Sequence, residues 1–297
     1  MELFLECASF VVGLAFGSFL NVCITRIPRD QSIVSPPSRC PQCLKPIRWR
    51  DNIPLLSWIV LRGRCHACRR PISRRYPVVE LLTVGLFLAC YASFGATWLT
   101  LKSCVFCFLI VGLVFMDAET GLLPCEFTYS GIGIGLATAF FGSIDASGTA
   151  FLLNSFGARI ALSNSELFLF DSAAGAVFGA GFFYLAWAMY YLLRRRHGIG
   201  FGDIALIAMV GAFLGLKLTV LVVFVSPIMA TAFALATLAL SRDASRAALL
   251  GQSNSNSGSA TSFLLREVPF GVFLGASSLI ALFAGRQVWG WYLGLFR

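Results

Sequence analysis

Two sets of residues in this 297-residue chain have the types and spacing to do chemistry. The first is a pair of CxxC turns, Cys40-Pro41-Gln42-Cys43 and Cys65-His66-Ala67-Cys68, with 21 residues between them. Each turn presents two thiolates, and two such turns complete a tetrahedral sulfur site of the kind that binds zinc. Four thiolates leave no open coordination position, so Cys40, Cys43, Cys65 and Cys68 are predicted to hold a structural and not a catalytic zinc. A thioredoxin-like redox pair would need a βαβ pattern, which the sequence lacks, and an iron–sulfur cluster has no further motif behind it. His66 reads as a solvated loop residue. The other six cysteines, Cys104 and Cys107 among them, lie mostly in apolar runs, where cysteine serves as a small apolar residue.

The second set is Asp117 and Asp203. Asp117 closes an apolar run and opens Asp117-Ala118-Glu119-Thr120-Gly121-Leu122-Leu123-Pro124; Asp203 sits in Gly200-Phe201-Gly202-Asp203, directly before another apolar run. Taken singly, Asp203 reads as a helix cap or first-turn acid, and Asp117 as a solvated charge at the end of a span. Gly200 and Gly202 exceed what a cap requires, because they let backbone or substrate approach the carboxylate. Taken together, the two read as the carboxylates of an aspartyl protease. One activates a water and the other protonates the peptide carbonyl, with one proton shared between them. Competing hydrolytic sets lack residues: the only histidines are His66 and His197, and HExxH is absent.

These residues must be positioned by a membrane. The chain is 58% hydrophobic and only 12% charged, with a mean hydropathy of +0.80. A soluble protein would be about a quarter charged. Eight candidate spans follow from the apolar runs: Leu3–Cys23, Val78–Phe94, Trp98–Met116, Phe127–Phe141, Ser172–Leu193, Ile204–Leu216, Leu218–Leu240 and Val268–Phe283. The first is read as a retained span, since Glu2 and Glu6 stand at its start in place of a basic leading region and no small-x-small cleavage site follows. Residues 26–75 hold twelve Lys or Arg against Asp30 and Asp51. Short basic loops stay in the cytoplasm, so this loop is placed inside, and nucleic acid is not an expected partner. The N-terminus then lies outside, both aspartates fall at the cytoplasmic face, and Arg194–Arg196 fall inside. The segment from Gly142 to Asp171 lies outside. Ser241–Thr261 is predicted to be a flexible inside linker, and Val288–Phe296 an aromatic interfacial anchor. No internal repeat is evident. A loop of this size cannot build its own core, which gives the zinc a folding role.

The ordered motifs resemble the bacterial type IV prepilin peptidases across most of the chain. Phe16-Gly17-Ser18-Phe19-Leu20-Asn21-Val22 with Arg26-Ile27-Pro28 is similar to the family's N-terminal signature. The cysteines follow, with Asp51-Asn52-Ile53-Pro54-Leu55-Leu56-Ser57-Trp58 between the pairs and Arg75-Tyr76-Pro77-Val78-Val79-Glu80 after them. Asp117 with Leu123-Pro124 fits the first catalytic motif. Gly200–Asp203 fits the GxGD motif, continued by Gly211-Ala212-Phe213-Leu214-Gly215. Val268-Pro269-Phe270-Gly271 fits the closing signature. Departures are Cys125 and Glu126 where the family often has Asp after Leu-Pro, Ala205 where it has Lys, and Val272 where it often has Pro.

The resemblance implies cleavage of the leader from prepilins or pseudopilins after a glycine, at the cytoplasmic face of the bacterial inner membrane. It also implies methylation of the new N-terminus with S-adenosylmethionine, an activity it associates with the N-terminal region; the donor's binding residues are not assigned. The expectation is an all-α integral membrane protein, a polytopic bundle of about eight transmembrane helices with a small cytoplasmic zinc-binding loop. Residues 1–25 form the first span, 26–77 the zinc loop and 78–297 the peptidase core. Catalysis is assigned to Asp117 and Asp203. The rival readings are a peptidase without methyl transfer, a membrane scaffold with a zinc docking loop, and a transporter with buried acids.

Overall fold

A computed structural model describes residues 2–155, 163–195, 200–249 and 269–295, with the side chains of 240–249 excepted. The described residues are almost entirely helical. α1 (Glu2–Arg26) leads into the loop, whose short helix α2 spans Leu56–Val60. α3 (Arg75–Phe94), α4 (Trp98–Thr120), α5 (Cys125–Ala139) and α6 (Ser147–Ser155) follow. The chain continues through α7 (Asn164–Arg194), α8 (Phe201–Leu214), α9 (Leu216–Leu249) and α10 (Phe270–Gly294).

Each of the eight predicted spans falls on a helix. Six (α1, α3, α4, α7, α9 and α10) are long and apolar enough to cross a bilayer. α5 and α8 are shorter, at 15 and 14 residues. Large apolar side chains face outward along the bundle, such as Val177 and Leu185 on α7, a surface suited to lipid. Inside, Leu20, Ile110, Leu113, Met116, Leu206 and Met209 belong to one apolar core that joins α1, α4 and α8.

Small residues bring the backbones of α7 and α8 together. On α8, Gly211 meets the backbone of Gly175 on α7, and Gly179 lies one turn further along α7, its Cβ position 3.0 Å from the Ile207 carbonyl oxygen. Glycines four apart let backbones touch, the means by which membrane helices associate without a hydrophobic drive.

Three expectations change. α7 begins at Asn164, eight residues before the predicted start, because Ser163 and Glu166 form a capping box: Ser163 Oγ accepts from the Glu166 N–H, and Glu166 accepts from the Ser163 N–H at 2.7 Å. Asp171 is therefore no outside loop residue; it is inside α7 and fully buried. α9 runs on through Leu249, so the first nine residues of the predicted linker are helical, in keeping with the helix propensity of Ala and Arg. The rest of that linker lies outside the described residues, as do Arg196, His197, Val268 and Phe296.

The cysteine loop also contains a repeat that the sequence reading passed over. Arg39-Cys40-x-x-Cys43-x-x-Pro46-Ile47 recurs as Arg64-Cys65-x-x-Cys68-x-x-Pro71-Ile72. Both copies fold alike. Bridges join Arg39 to Pro46 and Arg64 to Pro71. Cys40 N–H donates to Lys45 and Cys65 N–H to Arg70, at 3.0 and 2.9 Å. Leu44 and Arg69 occupy the same left-handed position, φ 59 and 58.

Candidate active site and metal centre

The two turns face each other. The four cysteine sulfurs lie within 4.8 Å of one another, and Cys40 Sγ is 3.9 Å from Cys68 Sγ. A zinc with Zn–S bonds of about 2.3 Å needs sulfurs about 3.8 Å apart, so the donor set fits a tetrahedral metal. The Cys65 thiol is pulled down to about 7, chiefly by the backbone N–H groups of Cys68 and Ala67. At Cys68 the Arg70 N–H favours the thiolate. Desolvation and the three other sulfurs outweigh it and push that thiol up to about 11. A cation at the centre would remove this mutual opposition. Arg70 donates to Gln42 Oε1 at 2.8 Å and ties one turn to the other. His66 is exposed, 3.8 Å from Asp51, and stands apart from the sulfur set.

Asp117 lies on the last turns of α4, which Gly121 closes in a left-handed conformation (φ 67) with its N–H on the Asp117 carbonyl at 2.8 Å. The Asp117 side chain is 7% exposed, so it is not the solvated charge that a span end alone would suggest. Its Oδ2 accepts from the Val272 N–H at 3.1 Å, at the start of α10, and the Gly271 N–H is a second donor. A Cβ on Gly271 would stand 2.7 Å from the same oxygen. The turn carrying Val272 thus supplies backbone donors to Asp117 and needs no side chain at 271 to do so.

Asp203 is the third residue of α8, after the N-cap Gly200. Its carboxylate reaches back to the Gly200 N–H, the capping role expected of it, and it also interacts with the charge of Asp117. Leu123 closes the space between the two motifs. A Cβ on Gly202 would lie 2.8 Å from the Leu123 Cβ, and one on Gly271 would lie 3.3 Å from the Leu123 Cδ1. Asp117, Leu123, Gly202, Asp203 and Gly271, spread over 155 positions, therefore converge on one spot. A buried and a half-buried carboxyl whose charges interact, one of them held by backbone donors, can divide a proton between them and handle a water between opposite protonation states.

The sequence reading missed the residues that fix this end of the bundle. Arg75, at the start of α3, bonds Glu119 at 2.6 Å, two residues beyond Asp117, and Thr25 on α1 at 2.8 Å. Opposite charges 44 residues apart give no spacing signal. Asp171 was equally hidden. It accepts from Ser143 at 2.9 Å, Thr149 at 2.5 Å and the Leu216 N–H at 3.1 Å.

Comparison with known proteins adds the family. The sequence profile of the bacterial peptidase A24 N-terminal domain matches residues 11–94, and that of the type IV leader peptidase family matches residues 103–235. A Myxococcus xanthus protein named prepilin leader peptidase/N-methyltransferase is 43% identical over 69% of this chain, a stretch that covers 55% of its own length. Proteins of the same name from Aeromonas hydrophila and Neisseria gonorrhoeae are 32% and 35% identical. They cover 96% and 73% of this chain, and 92% and 76% of their own lengths. No solved structure matches the chain.

Proposed function

Because the chain belongs to the type IV leader peptidase family, we propose that it cuts the leader from prepilins or pseudopilins with Asp117 and Asp203, and then methylates the new N-terminus. The observation that carries the peptidase half is the meeting of these two carboxylates at the ends of α4 and α8, ringed by glycines. In this reading one ionised carboxylate draws a proton from water while its protonated partner donates to the scissile carbonyl, and the two exchange roles as the tetrahedral intermediate collapses. The Val272 and Gly271 N–H groups hold Asp117 at the correct angle throughout. Gly200 and Gly202 leave the backbone low enough for an extended substrate strand to lie against Asp203.

The cysteine turns hold a structural zinc that organises the loop. S-adenosylmethionine supplies the methyl group when bound. The site works at the cytoplasmic face of the inner membrane, as the basic loop indicates.

The test is the intact mass of a prepilin co-expressed with the full chain, which reports leader loss and methyl gain together. Asp117→Asn and Asp203→Asn should each abolish cleavage, and the double variant should be scarcely worse than either single one, since the two act as a unit. Substantial cleavage by either single variant at normal abundance refutes the dyad.

A further inference from the structure

The end of the bundle that bears the dyad holds another buried carboxylate, which aspartyl proteolysis leaves unused. Glu80, on the second turn of α3, is 7% exposed. Its Oε2 accepts from the Leu55 N–H at 2.8 Å, and Ser18 is a second donor. Both donors are neutral. Among the described residues no Lys, Arg or His pairs with Glu80, although residues 26–75 hold twelve Lys and Arg. Arg75, five positions away, is committed to Glu119 and Thr25. An unpaired buried carboxylate is costly. Glu80 is left without a cation in a chain that has many, and so can take one from outside.

Asn21 points the same way. It is 2% exposed. Its Nδ2 is spent on the carbonyl oxygens of Tyr76 (3.0 Å) and Gly17 (3.4 Å), which fixes the amide and leaves Oδ1 with no donor among the described residues. Gly17 draws α1 onto α3 here; a Cβ on it would stand 2.9 Å from the Glu80 Cα. Leu55 adopts a left-handed φ of 58, an uncommon and costly state for leucine, at the residue whose N–H meets Glu80. The carboxylate and the unused carbonyl oxygen lie on the same α1–α3 seam, within about a turn of each other along each helix, and the complement of two acceptors is a cation bearing N–H protons.

We propose that Glu80, with Asn21 Oδ1, binds the α-ammonium group of the cut pilin and is the base for its methylation. This rests on the methyl-transfer half of the function above. Glu80 takes one proton from the ammonium group. The freed nitrogen lone pair forms a bond to the methyl carbon of S-adenosylmethionine. The carbon–sulfur bond breaks and its electron pair stays on sulfur, leaving a neutral thioether and a secondary ammonium. Arg75 and Glu119 join the start of α3 to the end of α4, so Glu80 and Asp117 belong to the same end of the bundle and the new N-terminus is formed on the side where it is used.

The experiment uses the full chain in lipid nanodiscs, a pilin peptide already lacking its leader, and the same peptide acetylated at its N-terminus. With Glu80→Gln, methylation should fall at least about a hundredfold at neutral pH. It should recover as pH rises to about 9, where an α-amine with pKa about 7.7–8.0 needs no base. The KM for the donor should stay within about twofold, the signature of a group that binds the pilin and not the donor. Without donor, the same variant should bind the free-amine peptide about tenfold more weakly, a loss of about 1.4 kcal/mol, and the acetylated peptide as well as wild type does.

Wild-type methylation by Glu80→Gln overturns the proposal. So does a raised donor KM with unchanged peptide binding, which would assign Glu80 to the donor's own amino group. Joint loss of cleavage and methylation that Glu80→Asp does not restore makes the carboxylate structural and overturns it as well. A wild type that transfers no methyl group refutes the methyl-transfer reading, and the donor-free binding comparison then decides the ammonium site separately.

Discussion

Asp117 has little freedom of its own. Its carbonyl is taken by the Gly121 N–H, its Oδ2 by the Val272 N–H, and the space beside that oxygen exists only because residue 271 has no Cβ. Gly271→Ala should therefore act on catalysis more than on folding. The methyl would sit 2.7 Å from Oδ2, and a displacement of about 1 Å at a reacting group can cost about a hundredfold in rate. Cleavage assays should show kcat reduced by about that factor with KM nearly unchanged; wild-type kcat would mean that the closing turn only packs. The aspartates themselves were legible in the sequence because two glycines and a span end mark them. Their donors were not, since backbone N–H groups from position 272 carry no side-chain signature.

At the level of elements, the joint between α8 and α9 anchors the far end of the helix that carries Asp203. Gly215 turns the chain at φ 78, and the Asp171 carboxylate occupies the space where a Cβ would go. Asp171 also receives the first N–H of α9, so one buried acid on α7 pins both helices. Lys102 on α4, 3% exposed, shares its field and donates to the Gly142 carbonyl at 3.2 Å. Removing Asp171 strands its three donors and takes away an opposite charge that Lys102 feels. Asp171→Ala should thus lose about 3–5 kcal/mol of stability, and Asp171→Ala with Lys102→Met should lose less than the two single losses combined. Thermal unfolding in detergent reads this, and strict additivity would show that the two do not couple.

The cysteine loop makes a separate prediction. Purified protein should carry about one zinc per chain, and chelation or Cys65→Ser should open residues 27–74 to protease. A metal-free loop that stays resistant would refute the zinc role. The sequence exposed the ligands through their spacing, yet the nine-residue repeat around them escaped notice because only Arg, Cys, Pro and Ile recur. The eight span helices were legible from apolar run length, whereas α2 and α6, in segments read as loops, were not. Run length alone does not see the Ser163–Glu166 cap, so it starts α7 too late and places Asp171 in a loop.

Over the whole molecule, hydropathy established the class and the eight segments, while helix contacts such as glycine on glycine between α7 and α8 depend on three-dimensional register that run length cannot supply. One consequence concerns depth. α8 has 14 residues and is about 21 Å long, whereas a typical hydrocarbon layer is about 30 Å thick. Other helices enclose α8, whose residues Leu206–Leu214 are all buried, so lipid has no contact there to match and an end of α8 can stop inside the layer. Since α8 begins with the Asp203 turn, the carboxylate can lie recessed from the headgroups. Cleavage of a fixed substrate should then depend on acyl-chain length, falling as the bilayer thickens at constant headgroup. Turnover measured across a series of phosphatidylcholines would show it, and a flat profile would place Asp203 at the level of the headgroups. Membrane thickness becomes a control variable for this chemistry, set by the length of one helix.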